Sequence, residues 1–191
     1  MLVIVAVLGA GLGLLAYGTS ALRSLELNTV DTRFSIRGDE KPPSDIVVVA
    51  VDEKSFEDLA QQWPFSHEDH AKVVDNLRRD RAKVIAIDIQ FSDPPPTDKE
   101  AFALIDAIKR AGNVVESSTS VDDLGNGNSF NYLVPEEVLA SKKRHAVNDW
   151  LKRTYRVALA WGNFPPDPGG VLRRLEHDRE GLKGFAVATA E

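Results

Sequence analysis

The first apolar run is also the longest: Leu2 to Leu22 carries no charged side chain and stops at Arg23. As a helix it would reach about 31 Å at roughly 1.5 Å per residue, enough for the hydrocarbon core of a bilayer. Beyond it, short apolar runs alternate with amphipathic ones. Ile46 to Val51 is continuous, β-branched and closed by Asp52, the pattern of a strand buried in a parallel sheet. Ser55 to Gln61 predicts a short helix, broken at Trp63-Pro64. His67 to Asp80 predicts a longer one, with Ala71, Val74 and Leu77 on one face and Ser66 as its cap. Val84 to Phe91 reads as a second strand, with Asp88 inside it. After the proline-rich loop Ser92 to Thr97, a helix runs to about Arg110, opened by a Thr97–Glu100 capping box and closed at Gly112. Asn113 to Ser117 reads as a third strand. The alternation of strands and helices predicts an α/β fold with a mostly parallel sheet flanked by helices and right-handed crossovers. Further on, the pattern allows a helix over Pro135 to Lys143 and strands over Tyr155 to Trp161 and Gly170 to Leu175. Phe185 to Glu191 reads as the start of a helix cut off by the end of the chain.

The expected organisation is a transmembrane helix over 1–22, an amphipathic connector over 23–44 ending in Lys41-Pro42-Pro43-Ser44, and an α/β domain over 45–191 that looks truncated at its C-terminus. Two rival readings of the leader carry weight. A cleaved signal peptide would show a basic stretch before the apolar run, and only Met1 with its amino group precedes it. A dinucleotide-binding fold would use residues 1–8 as its first strand and Gly11-Leu12-Gly13-Leu14-Leu15-Ala16 as its phosphate turn, with Asp31 further on. The helix after that turn would then have no polar face before Arg23, which a soluble sheet does not tolerate. Gly9 and Gly13 stand four apart, echoed by Ala6 and Ala10, and such small faces let membrane helices dimerise; glycine is also simply common in membrane helices. Arg23, Arg33 and Arg37 follow the leader, which by the positive-inside rule alone would place the body in the cytoplasm; an N-terminus lying upstream of this Met would remove the conflict.

Composition narrows the chemistry. The net charge is −6, which argues against a nucleic-acid partner. The absence of cysteine excludes disulfides, thiolate zinc sites and thiol nucleophiles. Nucleophile-elbow, Walker and zinc-protease motifs are also absent, so catalysis by this chain is not expected.

Asp52 and Asp88 fall at or near the C-terminal ends of predicted parallel strands, where open α/β sheets bind ligands. With Asp98 they are candidates to hold a divalent cation such as Mg²⁺ or Ca²⁺; the plainer account makes Asp52 a helix cap and pairs Asp88 internally. Trp63 is a candidate pocket wall or a core anchor. Arg173 and Arg33 could grip an anion bidentately or form structural ion pairs. His67 and His70 stand one turn apart, but two ligands do not make a metal site. Lys142-Lys143-Arg144 with Lys152-Arg153 reads as a solvated basic face.

Taken together, these pieces resemble the CHASE sensory domain of the second type, an extracytoplasmic input module of bacterial adenylate cyclases, histidine kinases and Ser/Thr kinases. The likeness rests on Asp31-x-Arg33 with Arg37-Gly38, on Asp45 to Asp52 with Ser55, and on Trp63-Pro64-Phe65-Ser66 with His70-Ala71. It continues through Ile85 to Ile89 with Phe91, Asp98, and Gly170-Val171-Leu172-Arg173 with Phe185-Ala186. His67 stands where the family usually has Arg, and Gly169-Gly170 where it usually has Asp-Gly. The resemblance implies a sensor facing the periplasm or extracellular space from the cytoplasmic membrane; a homodimer, no catalytic residues and no cofactor beyond a divalent cation are expected with it. Its ligand would be an unknown small molecule or peptide, met by Asp52, Ser55, Trp63, Asp88 and Arg173, and its output most naturally an adenylate cyclase. The alternative is a soluble α/β nucleotide-dependent enzyme.

Overall fold

The structure is a computed structural model that describes residues 2–18, 21–167 and 170–191. The chain forms two compact units, one of residues 1–50 with 167–173, the other of residues 51–166 with 174–191.

In the first unit the apolar leader is helix α1 (Leu2–Gly18), followed by α2 (Ala21–Arg37). Because the leader is helical, residues 1–8 do not supply the first strand that the enzyme reading needs. Val3, Ile4, Val5, Val7, Leu8, Leu14 and Leu15 of α1 all face outward. The 17-residue helix spans about 26 Å. No helix among the described residues is long and apolar enough to cross a membrane. The transmembrane helix expected over 1–22 is thus not found: the described part of the leader, Leu2–Gly18, is a few ångströms short of a typical ~30 Å core. Residues 19 and 20 lie outside the described residues.

Asp31 on α2 is gripped by Arg173, with Nε to Oδ1 at 2.7 Å and an amino group to Oδ2 at 2.8 Å. This fork holds the Asp31 carboxyl below the usual carboxylate range. It ties the turn closed by the Asp167–Val171 bridge to α2. Gly170 to Leu175 is therefore a turn rather than the expected strand; part of the glycine pair lies outside the described residues. Arg173→Leu is expected to loosen this turn and speed cleavage after Leu172 or Leu175 in limited proteolysis. An unchanged cleavage pattern would show that the fork does not hold it.

Ile46 to Val49 corrects another expectation. The run has no ladder partner, and Val47 and Val48 are 79% and 83% exposed instead of buried. A parallel strand exists only where a neighbour supplies its hydrogen bonds, and the sheet starts later, at Ile85.

The second unit is built on β1 (Ile85–Ile87), β2 (Val114–Ser118) and β3 (Val157–Trp161), all parallel in the order β1-β2-β3. Helix α3 (Glu53–Leu59) precedes α4 (His67–Arg79), which packs on α5 (Asp98–Ala111). Arg110 of α5 reaches Asp75 of α4 through two hydrogen bonds, at 2.6 and 3.3 Å. Leu104, Ile105 and Ile108 of α5 are fully buried against the sheet. The short α6 (Glu136–Leu139) leads to α7 (Ala146–Tyr155), which buries Val147 and Leu151. An antiparallel pair, β4 (Asp178–Arg179) and β5 (Leu182–Lys183), precedes α8 (Phe185–Ala190).

The expected start and stop of α5 hold: the Thr97 hydroxyl accepts the Glu100 amide, and Gly112 closes the helix at φ +75°. Thr97→Ala is expected to cost about 1 kcal/mol, read from the urea midpoint at constant slope; no shift would mean that Asp98 takes over the cap.

Candidate functional site

The residues singled out in the sequence do not converge. Asp52 caps α3: its carboxylate accepts the Ser55 amide at 3.1 Å and the Ser55 hydroxyl at 3.0 Å. Its own amide donates back to that hydroxyl, completing a capping box. Asp88 is exposed just past β1, and Asp98 is exposed in the first turn of α5. Among the described residues no three metal-ligating side chains gather, so these carboxylates share no common centre. Trp63 is half exposed, its ring 5.8 Å from Phe65 and 6.1 Å from His70. Arg173 is engaged by Asp31 in the first unit. Gly9 and Gly13 stand on open helix surface, with nothing within 4 Å of where a Cβ would sit.

The C-terminal end of β2 is closed by the polar, glycine-bearing loop that the sequence shows over Asp122 to Asn128. Ser118 Oγ donates to Asn128 Oδ1 at 2.9 Å and accepts the Asn128 amide at 2.7 Å. Asp122 gathers the amides of Leu124 and Asn126, and Asn126 in turn accepts the Val147 amide at 3.1 Å. That last bond caps α7 from a distance; His145, in the left-handed region at φ 58°, provides no cap of its own.

Beside this loop lies a chemically unusual interior. Register places Glu116 between Ile87 and Leu159 on one face of the sheet. Its side chain is completely buried and neither carboxyl oxygen has a hydrogen-bond partner. Burial pushes the carboxyl well above the usual range, Asp88 adding to the rise and Ser129 opposing it. The Ser129 hydroxyl spends its proton on the Ser117 carbonyl at 2.7 Å, so it has none to give Glu116. The Tyr132 hydroxyl is likewise buried and unpartnered; burial, then the Glu116 charge, raises its pKa. Around them pack Phe91 and Phe130, stacked at 5.4 Å, and His67, 5.0 Å from Phe91 and 6.4 Å from Tyr132. Burial lowers the pKa of both His67 and His70, which sit edge-on to Phe91 as neutral rings. An acid directly after the apolar pair Val114-Val115, in a segment that reads as a buried strand, was the available signal for this centre.

Tyr132 also walls a cavity of about 270 Å³, lined by Pro94 and Pro95 after β1, Thr97, Asp98 and Phe102 of α5, and Tyr155 at the end of α7. It is open to solvent, and its walls mix rings and prolines with the Thr97 hydroxyl and the Asp98 carboxylate.

Three parallel strands joined by helical crossovers make the larger unit an α/β domain. The chain is a member of the CHASE2 domain family, whose model matches residues 2–191. CHASE2 domains are extracytoplasmic sensor domains of signalling receptors and are not catalytic. Comparison with curated proteins finds no match, and comparison with solved structures finds none.

Proposed function

We propose that this chain is the input part of a bacterial receptor, held at the cytoplasmic membrane by α1 with its α/β unit facing the periplasm or extracellular space, and coupled to an adenylate cyclase. Ligand would bind one conformation better than another, and that difference in affinity is the free energy available to bias the output. The observation that carries the reading is an apolar helix whose described large side chains are exposed, in a chain matched almost end to end by a receptor sensor family. A helix hydrophobic on every side needs a non-aqueous neighbour, and lipid supplies one. Pairing of two copies through Gly9 and Gly13 fits the same surroundings.

Two experiments test this. The full chain, expressed in a bacterium, is expected to stay in the membrane pellet through a carbonate wash and to be cut by protease added to spheroplasts. Release into the supernatant would remove the anchor, and protection until lysis would remove the sidedness. An intact receptor carrying this chain is expected to make cyclic AMP; one that makes none loses the cyclase link but keeps the sensor role.

A further inference from the structure

We infer that two copies of this chain exchange strands: the run Ile46 to Val51 of one copy adds in parallel to the outer edge of β1 in the other, and the reverse pairing closes the dimer. The inference goes beyond the receptor reading and does not rest on it.

Run and edge are each half of a strand pair. Ile46 to Val51 carries no charge, and every residue of it is exposed. Among the described residues none of its backbone groups has a backbone partner. An open segment of that composition is an aggregation hazard unless something pairs with it. β1 stands at the end of the sheet order. The Ile85 amide donates inward to the Asn113 carbonyl at 3.0 Å, so by alternation the Ala86 amide and carbonyl point outward. They too have no backbone partner among the described residues, and Ala86 is exposed. Ile85-Ala86-Ile87 carries none of the charge or proline that blunts an edge against pairing. A single chain leaves both halves unpaired, and a second copy supplies each with its complement. Register follows from charge. Asp45 and Lys83 are exposed, and neither forms an ion pair among the described residues. Parallel pairing with Asp45 beside Lys83 sets Val47 on Ile85, Val48 on Ala86 and Val49 on Ile87, in the direction the sheet already runs. Antiparallel pairing about the same centre would set Ile46 on Asp88 and Val51 on Lys83, apolar against charge. Two runs on two edges would bury on the order of 1,000 Å², the size at which specific interfaces begin. The twofold exchange uses both elements of each copy, so it closes instead of propagating.

The chain has no cysteine, so introduced thiols report without background. Val48→Cys and Ala86→Cys are small changes at exposed positions, and the register brings the two within disulfide reach. The full chain is made in two differently tagged forms, one with each change, co-expressed and purified in a non-ionic detergent. Oxidation with copper phenanthroline is expected to link the two forms into a heterodimer, while either form alone stays largely unlinked. With both changes in one chain, covalent dimers are expected. A disulfide closed within one chain would show that the run covers its own edge and would overturn the exchange. Failure of the mixed pair to link, or a ladder of larger covalent species in place of the dimer, would overturn it too. Light scattering of the unmodified chain needs no variant: twice the 21.0 kDa protein mass is expected, and a monomer removes the proposal. Pairing of leader helices gives the same mass but not the cross-link between positions 48 and 86, so the two dimers are told apart. A chain that washes off the membrane removes the receptor reading and leaves the cross-link measurable.

Discussion

Glu116→Met is expected to stabilise the larger unit by about 1–3 kcal/mol at pH 7, because it removes a buried carboxyl that no donor satisfies and fills the space with a side chain of similar length. The pH dependence should change with it. The folded protein holds the Glu116 proton that the unfolded chain releases in the ordinary glutamate range. Stability from this group is therefore complete below that range and is lost as pH rises toward and through the raised folded value. The methionine variant should lack this loss. His67 and His70 act on the other side. Their depressed folded values mean that stability present at neutral pH is lost as pH falls below the ordinary histidine range and through those values. The acid limb should therefore survive in the variant while the limb at higher pH flattens. Urea unfolding from pH 4 to 9 measures both, and an unchanged slope above pH 5 would show that Glu116 is satisfied in solution.

A larger loss is expected from Phe130→Ala, about 3–5 kcal/mol. Phe130 is completely buried, stacks on Phe91, meets Tyr132 at 6.3 Å, and donates its amide to the Phe91 carbonyl at 2.8 Å. Its φ of 60° is retained by alanine without relief, so the cavity left by the ring dominates. The midpoint should fall at a constant urea slope. A cost below about 1 kcal/mol would mean that the aromatic cluster repacks around the gap.

The parts of this fold written in local chemistry could be read from the chain. Ser66 and Thr97 cap the helices where a hydroxyl three residues before an acid said they would, Gly112 ends α5, and the apolar faces of α4 and α5 are those of the helical repeat. The strands β1 and β3 also fall within the runs that announced them, and β2 ends one residue beyond its own, at Ser118. What depended on a distant partner was not legible. Ile46 to Val51 has the composition of a strand, but composition cannot supply the edge that strand would pair with. Helix α7 went unread because its cap comes from Asn126, well upstream, and not from His145. The site shows the same division. Asp52 and Ser55 were recognisable as a pair because their spacing is local, and that spacing also made them a cap. Glu116, Tyr132 and Tyr155 come from separate elements, and only the packed structure shows which of them are buried and which line a cavity.

The fork between Asp31 and Arg173 joins residues 142 positions apart. At a synthesis rate of roughly 5–20 residues per second, the arginine leaves the ribosome about 7–28 s after the aspartate. For that interval α2 must persist on its own or in the care of a chaperone, with an acidic side chain waiting for its counter-charge. The unit that holds the apolar helix is thus completed only after every strand of the parallel sheet has emerged.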